Sequence, residues 1–416
     1  DERSLIRLIE NEITDSHRAK TTEEAIGFLR KIYRNKPLLK GWLELGSGSS
    51  SAEESIKITR ELLFNAIRYE VMLAKMLRAV PQAERLALVS EQDKYERTLF
   101  YWAASKGDND AIEIFLALYP RSEHLQVLDK QDTYGWTVLH CAAFSRNHYS
   151  IRFVLSRYPE SERLNAVNIL GRCGTVLHVV AGSCDLESLL TVLRIYPESE
   201  RLRALQTQDH YRRNALHRAA NSKKGECLKY LLTLYPESER IHAVSITDRH
   251  RWTVLHWAAR SSNIEAIETI LALYPESERL QALNTTGEYE ESLLHCATDS
   301  NECTKVVLSL YPESERLHAV NMADDVGWTP LHVAARGGKF DIIETILAVY
   351  PESERLQALN RPSHYGETAL RLVAGSNNIE CIKAVLSLYP ESQRLHAASM
   401  QDPNGETVLH CAARSG

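Results

Sequence analysis

Apolar residues recur at helical spacing along most of the chain. Ile264, Ile267 and Ile270 stand three residues apart, which places them on one face of an amphipathic helix. Comparable stretches return with a period of 37 to 39 residues. Similarity at a fixed period of this length is the mark of a repeat protein. The pattern therefore predicts an all-α chain built from successive helical units.

A polar heptad, Y-P-E-S-E-R-L, follows the second apolar stretch of each unit. Copies and variants begin at Val80, Tyr119, Tyr158, Tyr196, Tyr235, Tyr274, Tyr311, Tyr350 and Tyr389. Its proline cannot continue the preceding helix but suits the start of a new one. Glu276 and Glu278 complement the positive N-terminus of that new helix, and Leu280 and Leu283 give it a buried side. The heptad therefore predicts a short third helix in each unit and an architectural role.

A second recurring element, typically Thr-x-Leu-His, opens each unit. Its copies begin at Thr98, Thr137, Thr175, Asn214, Thr253, Ser292, Thr329, Thr368 and Thr407. A hydroxyl or amide side chain is a good N-cap, and Pro330 stands at a first-turn position that proline tolerates. Pairs of alanine such as Ala142 and Ala143 are small enough for neighbouring helices to approach closely. We expect the first helix of each unit to begin directly after this capping residue.

The fullest copies read D-x-x-G-[WE]-T-x-L-H-x-A-A and span residues 132–143, 324–335 and 402–413. This pattern resembles the ankyrin repeat signature. The period exceeds the usual 33 residues, and the surplus is the heptad segment. The resemblance implies an all-α ankyrin-like solenoid with an extra short third helix per repeat and an N-terminal helical cap.

Four segments follow from these patterns. Residues 1–45 form an N-terminal helical segment that we expect to dock on the end of the solenoid. Residues 46–51 have the composition of a flexible linker, natural or engineered, and the lack of any match elsewhere in the chain favours the engineered origin. Residues 52–93 form an atypical capping repeat. Residues 94–416 form the ankyrin-like array, in which we expect a truncated last repeat because only its first helix is present.

Composition and charge narrow the classes of partner. The chain has 416 residues, 44% apolar and 25% charged, with a net charge of -6, which gives no global attraction to nucleic acid or anionic membranes. No apolar run approaches the roughly 18 residues that span a bilayer, and the N-terminus does not resemble a secretory signal. We expect a cytoplasmic protein with no membrane span, for which nucleic acid is a disfavoured partner.

The eight cysteines do not form a disulfide or zinc-binding pattern. Cys227, Cys303 and Cys381 occupy equivalent places in their repeats, and no C-x-x-C pair is present. Repeated single cysteines of this kind predict small buried residues in a reducing compartment.

A series of histidines at one repeat position could suggest a metal array. The series consists of His140, His178, His217, His256, His295, His332 and His410. Residues one repeat apart lie in successive layers and do not converge on one ion, and Arg371 interrupts the series. In ankyrin repeats, which the chain resembles, this histidine and its threonine bond within the turn and to neighbouring loops. We expect a structural role and no metal.

The chain carries no G-x-S-x-G, P-loop or H-E-x-x-H motif. The paired glutamates of the heptad recur in every complete copy, as a helix N-terminus requires and a single catalytic pair does not. We therefore expect no enzymatic activity and no cofactor.

The repeats differ most in the loop before the capping residue. In ankyrin repeats this loop, and the residues just after the alanine pair, line the concave binding surface. Large aromatic residues at loop tips are enriched at interface hot spots, although they can also merely pack against adjacent loops. The predicted partner-binding residues are Tyr134, Trp136, Tyr211, Arg212, Arg213, His250, Arg251, Trp252, Arg260, Tyr289, Trp328 and Tyr365.

Basic residues concentrate in two adjacent loops, within residues 210–213 and 248–252. They predict a basic, aromatic concavity on an otherwise acidic protein, to which an acidic protein surface or peptide is complementary. A solvated patch without a partner is the alternative.

Three functional hypotheses follow. The first is a protein–protein interaction scaffold that binds a partner through the concave loop face. The second is the targeting module of a secreted effector enzyme whose catalytic part lies outside the array, because the closely similar repeats resemble ankyrin-bearing effectors that intracellular bacteria deliver into the host cytoplasm. The third, an assembly spacer, predicts no selective partner.

Overall fold

The structure is a computed structural model that describes residues 60–67 and 70–415. The predicted helical segment 1–45, the predicted linker 46–51 and residues 52–59 of the predicted capping repeat lie outside the described residues. The chain divides into two compact units, one ending at Pro159 and the other beginning at Glu160.

The first unit is built from helices in groups of three. Its described helices are α1 (Arg60–Ala66), α2 (Glu70–Ala79), α3 (Gln82–Ser90), α4 (Leu99–Ser105), α5 (Asn109–Leu116), a 3-10 turn (Arg121–Glu123) leading into α6 (His124–Asp129), α7 (Val138–Phe144) and α8 (His148–Ser156). The first helices α1, α4 and α7 pack in succession, and so do the second helices α2, α5 and α8. The first unit is therefore a stack of helical repeats.

The second unit repeats the same plan. Its helices are α9 (Glu160–Asn168), α10 (Val176–Ser183), α11 (Leu186–Leu193), α12 (Glu198–Gln206), α13 (Ala215–Ala220), α14 (Glu226–Thr233), a 3-10 turn (Glu237–Glu239) leading into α15 (Arg240–Ser245), α16 (Val254–Arg260), α17 (Ile264–Leu271), α18 (Glu276–Leu283), α19 (Leu293–Ala297), α20 (Asn301–Leu310), α21 (Glu313–Asn321), α22 (Pro330–Arg336), α23 (Phe340–Leu347), α24 (Glu352–Asn360), α25 (Ala369–Ala374), α26 (Ile379–Ser387), α27 (Glu391–Ser399) and α28 (Val408–Ser415). The first helices α10, α13, α16, α19, α22, α25 and α28 pack in that order.

The predicted fold class is confirmed. Two isolated bridges, Gly171 with Gly174 and Thr286 with Ser292, are the only β-type pairing within the described ranges. Each complete repeat contains the predicted third helix. The alanine pairs lie where first helices meet, and Ala258 and Ala259 are fully buried.

The heptad proline marks the boundary between the second and third helices. Pro275 occupies the N-cap position with φ -55° and ψ 149°, and α18 begins at the next residue. Its extended backbone ends the preceding helical path. Leu283 is buried as predicted, whereas Leu280 is only half-buried and Ala282 completes the buried side. The reason is the shortness of the helix, whose C-terminal turn alone reaches the core.

The heptad tyrosine joins consecutive repeats. The Tyr311 hydroxyl donates to the Leu283 carbonyl at 2.8 Å, and Tyr196 donates to Asn168 Oδ1 at 2.8 Å. Both acceptors lie at the end of the preceding third helix. The heptad arginine closes the second helix of its own repeat, since Arg316 Nε donates to the Leu308 carbonyl at 3.1 Å. These bonds support the architectural interpretation of the heptad.

The recurring histidine links each first helix to the next loop. The Thr253 amide donates to His256 Nδ1 at 3.3 Å, so Nε2 carries the ring proton and donates to the Thr285 carbonyl at 3.2 Å. Equivalent links join His178 to Thr207, His217 to Ile246, His295 to Trp328 and His332 to Arg361. Burial lowers the pKa of His178, His217, His256 and His295 to about 4. The predicted structural role is confirmed.

Candidate protein-binding surface

One aspartate carboxylate shapes the loop before the first helix in six repeats. Asp248 Oδ1 accepts the amide protons of His250 at 2.8 Å and Trp252 at 3.0 Å. The same pair of bonds is made by Asp93, Asp132, Asp209, Asp324 and Asp402. Ser363 Oγ takes this role in one repeat. The sequence reasoning noted this aspartate in the repeat pattern and assigned it no role.

Backbone bonds fix neighbouring loops of the second unit in register. Arg249 donates its amide proton to the Tyr211 carbonyl at 2.8 Å, and Glu288 donates to the His250 carbonyl at 2.7 Å. Two further bonds continue the series, from Asp325 to Tyr289 and from His364 to Val326. The loop tips of this unit are therefore held in a fixed order, and their side chains are presented together.

Trp252 packs within the layer of loops. Its ring stacks on His256 with centroids 6.1 Å apart and meets Trp257 edge-on at 5.3 Å. A Cβ atom at Gly287 would lie 2.6 Å from Trp252 Nε1, so the neighbouring loop backs directly onto the indole. Trp252 is half-buried and supports the loop layer more than it projects from it.

The other two predicted tryptophans are held in a similar way. Trp328 Nε1 donates to Glu367 Oε2 of the next loop at 2.8 Å, and the Arg336 guanidinium lies 5.0 Å from its ring. In the first unit, the ring of Trp136 lies 6.0 Å from His140. Large rings half-buried in this way stabilise the loops and leave one edge accessible.

Three of the predicted tyrosines project into solvent, as do two of the arginines, which form no ion pair among the described residues. Tyr289 and Tyr365 are 48% and 64% exposed in the second unit, and Tyr134 is 43% exposed in the first. Arg212 and Arg251 are exposed. Tyr211 is half-buried beside its own loop.

Three of the predicted basic residues are engaged with other side chains. Arg213 pairs with Asp209 at 2.9 Å and lies 4.6 Å from the Tyr211 ring. Arg260 Nη1 is 3.5 Å from Asp299 Oδ2. His250 Nδ1 is 3.4 Å from Glu288 Oε2. Arg213 therefore stabilises its own loop. Arg260 and His250 form ion pairs that are about half exposed, so both side chains remain accessible.

Sequence reasoning missed Phe144, which is 60% exposed at the end of α7. Its ring lies 5.8 Å from that of Trp136. A signal was present, because Phe144 directly follows an alanine pair, at a position that lines the binding surface in ankyrin repeats. Arg336, exposed at the end of α22, could have been found by the same rule.

Acidic residues follow the basic ones along the loops of the second unit. Arg212, Arg249 and Arg251 are exposed in two consecutive loops, and Glu288, Glu290 and Asp325 are exposed in the next two. The sequence reasoning singled out the basic loops alone. The surface is therefore bipolar along the stack.

Residues 60–67 and 70–415 contain no group of three or more His, Cys, Asp or Glu side chains placed to hold a metal ion. All eight cysteines lie in this part of the chain, and none of them forms a disulfide bond there. None of its helices has the length and apolarity to cross a bilayer.

Comparison with known families gives two matches. The model described as "Ankyrin repeats (3 copies)" matches residues 63–167 and 177–281, which together make up just over half of the chain. The model described as "Ankyrin repeat" matches residues 326–354. No curated protein matches the chain.

Proposed function

The chain belongs to the ankyrin repeat family, and from that premise we propose that it binds a partner protein through the loop tips of its second unit. Ankyrin repeats are generally protein–protein interaction modules. The face that we propose, called the loop-tip face below, consists of Arg212, His250, Arg251 and Tyr289, supported from beneath by Trp252.

The observation that carries the proposal is the series of backbone bonds between consecutive loops. Because the Glu288 amide bonds to the His250 carbonyl and the Asp325 amide to the Tyr289 carbonyl, the backbone that carries the exposed side chains is held in place before any partner arrives. Ordering in advance reduces the conformational entropy that binding would otherwise cost. Aromatic and arginine side chains are also those most often found at hot spots.

Charge favours an acidic area on the partner. Arg212 and Arg251 are exposed, and neither side chain forms an ion pair or hydrogen bond with another side chain in the part of the chain that the structure describes. A carboxylate on the partner would therefore pair with these arginines by displacing only water, and no bond inside the protein would be broken. Such contacts steer association and fix the orientation of the complex.

Site-specific photo-crosslinking tests this proposal. A photoreactive amino acid replaces Tyr289 in the full chain, and a matched control carries it at Gln281, which is exposed on the third helix of the preceding repeat. We expect a discrete protein adduct from position 289 and none from position 281. Adduct formation from position 281 alone would contradict the assignment of the face.

Substitution provides a second measurement. We expect His250→Ala with Tyr289→Ala to weaken binding of the crosslinked partner by about tenfold or more, since a hot-spot residue contributes roughly 1–2 kcal/mol. The control pair Glu278→Ala and Gln281→Ala lies on the third helix and should leave binding unchanged. Circular dichroism should show the same helical content in both variants.

A further inference from the structure

In eight of the nine loops before a first helix, the residue two places before the capping residue has a left-handed backbone. Glycine occupies this position in four repeats, as Gly135, Gly327, Gly366 and Gly405, with φ between 75° and 82°. Charged residues occupy it in one repeat of the first unit, as Glu96 with φ 63°, and in three consecutive repeats of the second unit, as Arg212 with φ 60°, Arg251 with φ 58° and Glu290 with φ 61°. A residue with a Cβ atom is strained in this conformation, whereas glycine is not.

Packing explains two of the glycines but not the charged residues. A Cβ atom at Gly327 would lie 2.9 Å from the His364 ring, and one at Gly366 would lie 2.6 Å from Pro403 Cδ. Glycine is therefore required there. Arg212, Arg251 and Glu290 make no side-chain hydrogen bond or ion pair within the described ranges, so no internal contact compensates for their strain.

Strained backbone at consecutive loop tips indicates function. Such outliers are held in place by the surrounding structure and cluster at functional sites. All three side chains are exposed, and the backbone bonds from Arg249 to Tyr211 and from Glu288 to His250 hold the three loops in order. The charges therefore form a fixed row with the signs plus, plus and minus.

We infer that this row binds an extended protein segment that carries two carboxylates followed by one cation. The carboxylates pair with Arg212 and Arg251, and a lysine or arginine of the segment pairs with Glu290. This inference rests on the proposed loop-tip face and adds the charge order of the partner. It replaces a purely acidic partner with a bipolar one.

Geometry sets the spacing of those charges. The first helices α13, α16 and α19 of these repeats pack directly on one another, and packed helices lie about 8–10 Å apart. An extended chain of the polyproline II type advances about 3.1 Å per residue with three residues per turn, so side chains three residues apart lie on the same side. Charges three residues apart therefore match consecutive loops, in the order Glu-x-x-Glu-x-x-Lys, read in either direction.

A nucleic acid does not fit the same row. Its phosphates would meet Glu288, Glu290 and Asp325 immediately beyond Arg251. Repulsion from exposed carboxylates opposes the release of counterions that drives binding of nucleic acids. The row is suited to a segment with charges of both signs.

Peptide pools test the inference on the full chain. One pool has the order Glu-x-x-Glu-x-x-Lys with randomised x positions, and the control pool of equal composition has the order Glu-x-x-Lys-x-x-Glu. We expect at least about fivefold greater retention of the first pool at low ionic strength, equivalent to roughly 1 kcal/mol. The Glu290→Lys variant should prefer peptides of the order Glu-x-x-Glu-x-x-Glu. The Arg251→Glu variant should prefer peptides of the order Glu-x-x-Lys-x-x-Lys.

Strain is measured separately from binding. We expect Arg212→Gly and Arg251→Gly each to raise the melting temperature by about 2–4 °C and both to reduce retention of the first pool. Gly405→Ala is the control for the cost of a Cβ atom, because nothing lies within 4 Å of the added atom, and it should lower the melting temperature.

The outcomes separate the two proposals. Equal retention of both pools, no retention of either, or equally strong binding of a single-stranded DNA oligonucleotide would overturn the bipolar row. If the position 289 crosslink nevertheless forms, the loop-tip face stands without the charge order. If crosslinking occurs only from position 281, the face itself is wrong.

Discussion

At the scale of the residue, the recurring histidine acts as a hydrogen-bonded link between repeats. His256 accepts at Nδ1 from the Thr253 amide at 3.3 Å and donates at Nε2 to the Thr285 carbonyl at 3.2 Å, an arrangement that only the neutral ring can make. Arg371 shows that the position needs a donor more than an imidazole, because its guanidinium reaches Asp402 of the next loop at 2.7 Å. Arg371 therefore interrupts the series of histidines in the sequence but keeps the link between consecutive repeats in the structure.

Acid should weaken the fold through these histidines. Burial lowers the pKa of His178, His217, His256 and His295 to about 4, against about 6.5 in the unfolded chain. Between these values the unfolded chain binds protons that the folded chain does not. The free energy of unfolding should therefore fall as the pH drops from 6.5 to 4, by on the order of 1 kcal/mol per histidine and pH unit. Urea denaturation at pH 7, 6 and 5 measures this.

Single variants identify the responsible groups. His217→Gln removes one buried titrating group, so its stability should be lower at pH 7 but should decline less steeply with acid. His318→Gln, on the exposed side of a third helix, should leave the slope as it is. A urea midpoint that stays constant between pH 6.5 and 5 would refute the assignment to the buried histidines.

At the scale of the element, the third helix owes its place to a tyrosine more than to its own apolar side. Glu276 and Ser277 are exposed, and only Ala282 and Leu283 at the other end of α18 are buried. The tyrosine that begins the next heptad, Tyr311, reaches back to the Leu283 carbonyl. The heptad therefore couples this third helix to the repeat that follows it.

The chain offers a matched pair for measuring this bond. We expect Tyr311→Phe to lower the free energy of unfolding by about 1 kcal/mol, because it leaves the buried Leu283 carbonyl without its donor. Tyr235 occupies the same heptad position, and its buried hydroxyl has no hydrogen-bond partner among the residues that the structure describes. Tyr235→Phe should therefore be neutral or stabilising in the same urea denaturation. Equal losses from both variants would show that the bond contributes nothing.

In the loops, the position of a side chain depends on the neighbouring loop. A Cβ atom at Gly287 would lie 2.5 Å from Glu291 Oε2 and 2.6 Å from Trp252 Nε1. We expect Gly287→Ala to displace Trp252 and to destabilise the fold by about 1–3 kcal/mol, which tryptophan fluorescence and urea denaturation would report.

Gly182 provides the control for that substitution. It lies inside α10, and an added Cβ atom there would meet nothing closer than 3.5 Å. Gly182→Ala should therefore stabilise the helix by about 0.5–1 kcal/mol. An unchanged fluorescence spectrum in Gly287→Ala would contradict the close packing of Trp252 on the neighbouring loop.

At the scale of the whole molecule, the chain comprises two compact units that meet in sequence at Pro159 and Glu160. Every contact that supports the loop-tip face, from the Asp209–Arg213 pair to the bond between Asp325 and Tyr289, lies inside the second unit. The first unit carries a separate set of exposed aromatic residues, including Tyr134 and Phe144. The two sets are independent candidates for contact with partners.

The second unit should fold and bind without the first. We expect a fragment of residues 160–416 to show the helical circular dichroism of stacked repeats, because each repeat needs only its neighbours. It should also prefer Glu-x-x-Glu-x-x-Lys peptides as the full chain does. An unfolded fragment, or a folded one without that preference, would show that the first unit contributes to the site.

The sequence was sufficient for the repeat, its helices and its family. Helical periodicity, the capping Thr and the proline of the heptad act within a few residues, so their consequences can be predicted from local pattern alone. The domain boundaries predicted from the sequence stay predictions, because residues 1–51 lie outside the described residues and no other observation tests the rest.

Only the tertiary structure decided which loop side chains are accessible. Trp252 and Tyr289 both follow the rule for loop tips, yet one is packed against Gly287 and the other is 48% exposed. The difference depends on residues about 35 to 40 positions away in the next repeat, which local spacing does not encode. The same is true of the left-handed tips, where the sequence shows Arg212, Arg251 and Glu290 in place of glycine but only the folded backbone reveals that they are strained.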